Sequence, residues 1–117
     1  MLLLPTVLLA NYAIATNFIA HKGTCDNRGD QVGNLAFTAI ADPEEADSYD
    51  SGCFTIDGTV AGHSVAFYYK PPNYAASSCS GYAYHDNQCS KGEQAYAITG
   101  RTVCWDYNGV WSMKVKC

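Results

Sequence analysis

The chain has 117 residues and a formal net charge of −4 at neutral pH, with 7 Lys and Arg residues against 11 Asp and Glu residues. The basic residues do not cluster beyond Lys114 and Lys116, so the chain cannot neutralise a run of phosphates and we expect no nucleic-acid partner. The apolar run at the start is too short to span a bilayer, so we expect no stable membrane span.

Residues 1–15 have the pattern of a secretory signal peptide. An apolar run from Met1 to Ala10 precedes the small-residue site Ala13-Ile14-Ala15. Cleavage after Ala15 predicts a secreted, extracellular protein with one domain, residues 16–117.

The cysteines indicate how such a small domain is stabilised. A chain of this size buries only part of its surface on folding, and an even number of cysteines in a short secreted chain is typical of a disulfide framework. No pair has the Cys-x-x-Cys spacing of a zinc site, so we expect no structural metal. All six cysteines lie beyond the signal region: Cys25, Cys53, Cys79, Cys89, Cys104 and Cys117.

The first half of the mature chain predicts three strands. Residues 17–30 predict an irregular arm anchored by Cys25. Apolar residues recur at every second position over 32–40 and 64–70, which is typical of half-buried strands. A short strand is predicted over 53–56, before a turn.

The second half predicts four strands. The first three cover 80–84, 94–99 and 102–106. The dipeptide Asn108-Gly109 predicts a turn. In the last strand, over 112–117, apolar and lysine side chains alternate.

A twofold internal repeat relates the two halves. Cys53-Phe54 is followed by Ser64-Val65-Ala66-Phe67, and Cys104-Trp105 is followed by Ser112-Met113-Lys114-Val115. An Asp-bearing turn precedes each Cys-aromatic pair, at 41–43 and at 85–87. The repeat has a period of roughly fifty residues, which predicts two similar units packed together.

The repeat leads to an all-β fold of two four-stranded antiparallel units, predicted to be Greek keys. Unit one covers about 32–70 and unit two about 79–117. Because Cys104 lies where Cys53 lies, we predict that each unit has its own disulfides. The predicted pairs are Cys89–Cys104, Cys79–Cys117 and Cys25–Cys53.

Residues 84–93, followed by Gly100 and by 108–115, resemble the βγ-crystallin Greek-key motif. That motif runs from an aromatic-x-Asp hairpin, here Tyr84-His85-Asp86, through a glycine to a last strand like Ser112-Met113-Lys114-Val115. The version ending in Cys117 is similar to small secreted proteins of filamentous fungi, which include killer-toxin-like or antimicrobial proteins and candidate effectors of plant pathogens. The resemblance implies a disulfide-stapled, βγ-crystallin-like sandwich.

The resemblance also implies a calcium site, but the aligned residues depart from the binding pattern. Tyr107 replaces a carboxylate or amide, and Trp111 replaces a hydroxyl. Calcium requires six to eight oxygen ligands, so we expect no metal and no cofactor. The motif serines, Ser64 and Ser112, are then predicted to form structural hydrogen bonds across a folded hairpin.

A secreted ribonuclease is the enzymatic alternative. A general acid and base with a phosphate-binding arginine could come from His63, His85, Glu93 and Arg101. These residues lie in turns of two different units, and their spacing does not bring them together. We therefore expect no enzymatic activity, with a small secreted hydrolase as one alternative function and a stable extracellular structural protein as another.

Aromatic side chains are the remaining candidates for function. Tyrosine on an outer sheet face can bind sugar or protein, because its ring packs while its hydroxyl forms hydrogen bonds. The leading hypothesis is a monomeric secreted binding protein, acting as a fungal effector in virulence or as an antimicrobial toxin on an extracellular or host protein or glycan. The predicted binding surface contains Tyr68, Tyr74, Tyr82, Tyr84 and Trp111.

Overall fold

A computed structural model of the chain describes residues 14–39, 50–69, 79–97 and 102–116. Every regular element within these ranges is a β-strand, and no helix there is long and apolar enough to cross a membrane. In chain order the strands are β1 (Ile14–His21), β2 (Gln31–Ala39), β3 (Phe54–Thr55), β4 (Gly62–Tyr69), β5 (Ser80–Tyr84), β6 (Gln94–Ala97), β7 (Val103–Val110) and β8 (Ser112–Lys116).

The strands form two antiparallel sheets of four strands each. Sheet one has the order β2-β1-β4-β7, and sheet two has the order β3-β8-β5-β6. In each quartet, β1–β4 and β5–β8, the fourth strand lies beside the first, which is the return connection of a Greek key. The third strand of each quartet, β3 or β7, lies in the sheet of the other quartet. The predicted all-β, disulfide-stapled sandwich is confirmed, and its two units exchange one strand.

The cross-strand registers give the equivalence of the two quartets residue by residue. Ser64 lies opposite His21 in sheet one, as Ser112 lies opposite Tyr84 in sheet two. The loop after Tyr84, residues 85–93, is therefore equivalent to residues 22–30. It is not equivalent to the Asp-bearing turn at 41–43, which lies outside the described residues.

The core lies between the sheets and follows the alternation of the strands. Phe18 and Phe67 stack with their ring centroids 4.5 Å apart, and both side chains are fully buried. Met113 and Val115 face them from sheet two. A side chain of this size contributes roughly 1.5–3 kcal/mol when it is fully buried. The inward-facing residues predicted for the strands over 64–70 and 112–117 are therefore confirmed where side chains are described. The prediction that the first of these strands is half-buried is wrong, because Ser64 and Ala66 on its other face are also fully buried.

The predicted irregular arm over 17–30 is wrong in its first part. Residues of β1 pair with β2 on one side and with β4 on the other, so this strand is central in sheet one. Phe18 faces the core, yet its neighbour Ile19 on the opposite face is also buried. Burial on both faces removes the alternation that would have indicated a strand.

The predicted signal peptide remains a prediction. Strand β1 begins at Ile14, so cleavage after Ala15 would leave most of this strand in the mature protein. Residues 1–13 lie outside the described residues.

The predicted turn at Asn108-Gly109 is a bulge within β7. Gly62 pairs with Val110 and Ser64 pairs with Asp106, so β7 contains extra residues between its two partners in β4. Gly109 has a φ of +94°, which glycine adopts without steric cost. The strand therefore continues through this dipeptide and bends there.

Two predicted disulfides are wrong in their pairing. The described bonds are Cys25–Cys104 and Cys53–Cys89, which link the two quartets to each other. The reason is the strand exchange, because β3 and β7 lie beside the loop of the other unit. Cys79 is disulfide-bonded, as predicted, and its predicted partner Cys117 lies outside the described residues.

Candidate functional site

Residues 22–30, here called hairpin one, connect β1 to β2 and cover part of the outer face of sheet one. Ser64 Oγ donates a hydrogen bond to the Gly23 carbonyl at 2.7 Å. The Cys25 backbone N–H donates to Asp106 Oδ1 at 2.7 Å, and the Cys25 side chain is bonded to Cys104. These three attachments come from β4 and β7, so hairpin one is fixed to the sheet at several points.

Residues 85–93, here called hairpin two, cover sheet two in the same manner. Ser112 Oγ donates to the Asp86 carbonyl at 2.5 Å and accepts from the Cys89 N–H at 3.0 Å. The Cys89 side chain is bonded to Cys53. Ser64 and Ser112 are both fully buried, so the predicted structural role of the motif serines is confirmed.

Arg28 of hairpin one reaches Tyr68 on β4. An Nη of Arg28 donates a hydrogen bond to the Tyr68 hydroxyl oxygen. The guanidinium carbon lies 5.6 Å from the centroid of the Tyr68 ring, within the range of a cation–π contact. Both side chains are half-buried, so each is ordered by the other while part of it stays accessible to solvent.

Two asparagines continue this polar row across sheet one. Asn17 lies directly opposite Tyr68 in the pairing of β1 with β4, so both side chains share the outer face. Asn17 Nδ2 donates to Asn34 Oδ1 at 2.9 Å, and Asn34 is exposed on the edge strand β2. The four residues Asn17, Arg28, Asn34 and Tyr68 are here called the arginine–tyrosine surface.

His21 lies beside this surface and differs from it in exposure. Its side chain is 5% exposed, and its ring centroid is 6.1 Å from that of Tyr68 in an edge-on contact. Burial, followed by the positive charge of Arg28, lowers the pKa of His21 below its ordinary value of 6.5. The imidazole is therefore neutral at neutral pH.

The predicted aromatic set does not form one surface. Tyr68 is in sheet one, whereas Tyr82 lies half-buried on sheet two, opposite Lys114. Tyr84 is 1% exposed and donates its hydroxyl to Glu93 Oε1 at 2.8 Å, which removes it from the accessible surface.

The other two predicted aromatic residues are Trp111 and Tyr74. Trp111 is half-buried and packs against the core, and Tyr74 lies outside the described residues. Arg28 is not among the predicted site residues, because residues 17–30 predict an irregular arm rather than a hairpin that lies over a sheet.

Two tyrosine hydroxyls of sheet two, those of Tyr84 and Tyr96, remain protonated well into alkaline solution. Burial, followed by the hydrogen bond and charge of Glu93, raises the pKa of Tyr84. Burial, followed by the nearby Tyr107, raises the pKa of Tyr96 to about 12. The Tyr84 hydroxyl therefore stays a donor to Glu93 across this range.

The residues of the ribonuclease alternative take part in separate structural contacts. His63 Nδ1 lies 2.7 Å from the Lys22 carbonyl, and His85 Nδ1 lies 3.1 Å from the Gly109 carbonyl. Glu93 accepts the hydroxyl of Tyr84. No hydrogen bond or ring contact joins the two histidines in the described part of the chain, and Arg101 lies outside it.

The segment aligned with a calcium site is occupied by packed aromatic residues. Tyr107 is buried, stacks on His85 with ring centroids 4.7 Å apart and donates its hydroxyl to the Gly92 carbonyl at 2.5 Å. Trp111 packs against the core. Within the ranges that the structure covers, no three His, Cys, Asp or Glu side chains are grouped for a metal. The absence of metal remains a prediction.

Comparisons with known proteins do not place the chain in a family. No family model, curated protein or solved structure matches the chain.

Proposed function

We propose that the chain is an extracellular binding protein of βγ-crystallin-like architecture that recognises its partner through the arginine–tyrosine surface. Its partner belongs to a host or to a competitor, on which the protein acts as an effector or an antimicrobial toxin. The Greek-key strand exchange and the motif residues over 84–93 and 108–115 support the architecture. The disulfides support an oxidising compartment outside the cell.

The observation that carries this proposal is the ordered contact between Arg28 and Tyr68 on a cross-linked hairpin. Arginine and tyrosine dominate the binding energy of many interfaces, because each offers a large planar group with hydrogen-bonding atoms. The Cys25–Cys104 disulfide and the Ser64 hydrogen bond fix hairpin one before any partner binds. A surface ordered in advance loses less conformational entropy on binding.

The adjacent asparagines favour a polar partner. The Asn17 and Asn34 amides extend from the Tyr68 ring along the outer face, and their other amide atoms have no hydrogen-bond partner among the described residues. An aromatic ring bordered by amides suits a glycan or a polar protein loop. The two differ in chemistry, and one experiment distinguishes them.

The test uses the oxidised, secreted protein on a glycan array and in capture from host and microbial extracts. We expect Arg28→Ala to reduce the retained signal by about tenfold or more, equivalent to about 1.4 kcal/mol. Lys91→Ala is the matched control, because Lys91 is an exposed basic residue on hairpin two. Equal retention by wild-type protein and Arg28→Ala, or an equal loss in Lys91→Ala, contradicts the proposed surface.

An RNA-cleavage assay on the same samples tests the enzymatic alternative. The binding proposal expects no cleavage above background. Cleavage that disappears in His63→Ala or His85→Ala would support the ribonuclease and contradict a function in binding alone.

A further inference from the structure

His21 is a buried titratable group to which the proposed function assigns no role. It ends β1, opposite Gln31 of β2 and Ser64 of β4, and hairpin one lies over it. Its side chain is 5% exposed, and Nδ1 has no hydrogen-bond partner among the described residues. A buried polar atom without a partner destabilises the folded state, so its retention here needs a reason.

Among the residues that the structure describes, burial and the Arg28 guanidinium act on the His21 ring, and no carboxylate does. Hairpin one contributes the Arg28 guanidinium, whose charge acts on the ring. Strand β4 contributes the Tyr68 ring and the Ser64 hydroxyl, which is bound to the Gly23 carbonyl.

The remaining neighbours of His21 come from β2 and β7. Strand β2 contributes the neutral Gln31. On β7, one strand further away, Asp106 accepts the Cys25 N–H. A proton on His21 would therefore add a second positive charge beside Arg28, with no counter-ion in the described part of the chain.

We propose that His21, which is buried beneath the arginine–tyrosine surface, is a pH-sensitive residue that controls the contact between Arg28 and Tyr68. Protonation of the ring repels the Arg28 guanidinium and displaces it from Tyr68, so the partner is released in acid. The Cys25–Cys104 disulfide keeps hairpin one attached, which makes the change local and reversible. The inference rests on the proposed function for the partner, but the displacement of Arg28 is independent of it.

The direction of the effect follows from linkage. The pKa of His21 is lowered in the folded protein, so the folded state favours the neutral ring. The contact of Arg28 with Tyr68 is fully formed when the pH is above 6.5, the ordinary pKa of histidine, and it weakens as the pH falls below that value. The pKa of Tyr84, the equivalent residue beneath hairpin two, is raised by burial and by Glu93, so its hydroxyl does not change protonation in this range.

The experiment is an NMR titration of the oxidised protein from about pH 8 to about pH 4. We expect the His21 ring to titrate below its ordinary value, and the Arg28 side-chain and Tyr68 ring signals to shift with the same midpoint. The shifts are absent in His21→Phe and persist in His63→Gln, which removes another histidine beside hairpin one. If His21→Phe does not fold, His21→Asn serves in its place.

Two results would overturn the inference. One is an unchanged Arg28 and Tyr68 transition in the His21 variant; the other is a His21 ring that titrates without moving either signal. Partner binding is then measured separately, and we expect about tenfold weaker affinity in acid for wild type but not for His21→Phe. If Arg28→Ala does not affect binding, the proposed function fails, while the titration still decides the role of His21.

Discussion

Hairpin one and hairpin two occupy equivalent places on the two sheets but are stabilised differently. Both are attached by a buried serine and by a disulfide to the exchanged strand of the other unit. Beneath them, His21 Nδ1 has no hydrogen-bond partner within the described ranges, whereas the Tyr84 hydroxyl donates a hydrogen bond to Glu93. The backbone attachments therefore define the repeat, and the buried residue beneath each hairpin is free to differ. The half in which the buried residue lacks a described hydrogen-bond partner, at His21, also carries the arginine–tyrosine surface.

The core also differs between the two halves. Phe18 in β1 is equivalent to Gly81 in β5, and Phe67 in β4 is equivalent to Val115 in β8. A Cβ on Gly81 would lie 2.7 Å from Phe67 Cζ and 2.8 Å from Phe18 Cζ. At these two positions sheet two has small side chains where sheet one has large ones. The Phe18 and Phe67 rings can therefore pack against the backbone at Gly81, which a second large side chain would prevent.

The largest expected effect comes from removing either cross-unit disulfide. In the chain-entropy model, replacing Cys25 and Cys104 with serine, or Cys53 and Cys89, lowers the free energy of unfolding by about 4 kcal/mol. The first bond joins residues 79 apart and the second residues 36 apart, so the first loss is larger by roughly 0.7 kcal/mol. Denaturant unfolding of the two double variants measures both quantities.

Peptide mapping of the oxidised protein provides the control for the disulfides. It should recover Cys25–Cys104 and Cys53–Cys89. Recovery of Cys89–Cys104 would instead mean that the units are stapled separately and would contradict the reciprocal arrangement.

The next effect tests the asymmetric core. Gly81→Ala inserts a methyl group against the Phe18 and Phe67 rings, and we expect a loss of about 1–3 kcal/mol in unfolding free energy. The matched control is Ala95→Val, an added apolar volume at an exposed position of β6, with an effect within about 0.5 kcal/mol. If Gly81→Ala is as mild as the control, the two halves do not interlock at this position.

Much of the fold could be predicted from the sequence where one face of a strand is exposed. Strand β8 alternates buried apolar residues with lysines, and β4 alternates in sequence although Ser64 and Ala66 on its outer face are also buried. The equivalence of Ser64 with Ser112 followed from the repeat. Strand β1 could not be identified in that way, because Ile19 and His21 are buried on the face opposite the core. The apolar segment Phe18-Ile19-Ala20 was the available signal, since a short apolar run is consistent with a strand buried on both faces.

The site was less predictable than the fold. The disulfide pairing depends on the exchange of β3 and β7, a long-range feature that no local pattern contains. Tyr68 could be proposed from its alternation in β4, but its contact with Arg28 depends on hairpin one lying over the sheet. The repeat shows that Cys53 and Cys104 occupy equivalent positions, but it does not indicate which cysteine each of them is bonded to.

A smaller effect separates the two motif serines. Ser112 makes two hydrogen bonds, to the Asp86 carbonyl and from the Cys89 N–H, whereas Ser64 makes one, to the Gly23 carbonyl. We expect Ser112→Ala to cost about 2–3 kcal/mol and Ser64→Ala about 1–2 kcal/mol, because buried backbone groups lose their partners. Ser80→Ala, for which no hydrogen bond is described, is the control. Equal losses in the two motif variants would mean that the hairpins are attached with equal strength.

The smallest effect is a change in the free energy of unfolding that we expect to have opposite signs in the two halves. Tyr84→Phe removes the hydroxyl that donates to Glu93, and we expect a loss of about 1 kcal/mol in unfolding free energy. At about pH 8, where the His21 ring is neutral, His21→Phe removes an unpartnered Nδ1 and retains an aromatic ring. We therefore expect no loss or a small gain, because an unsatisfied buried polar atom is replaced by an apolar one of similar shape. Thermal and denaturant unfolding at this pH compare the two variants directly. A loss in His21→Phe that matches the loss in Tyr84→Phe would mean that His21 is as well satisfied as its counterpart, and the contrast between the hairpins would disappear.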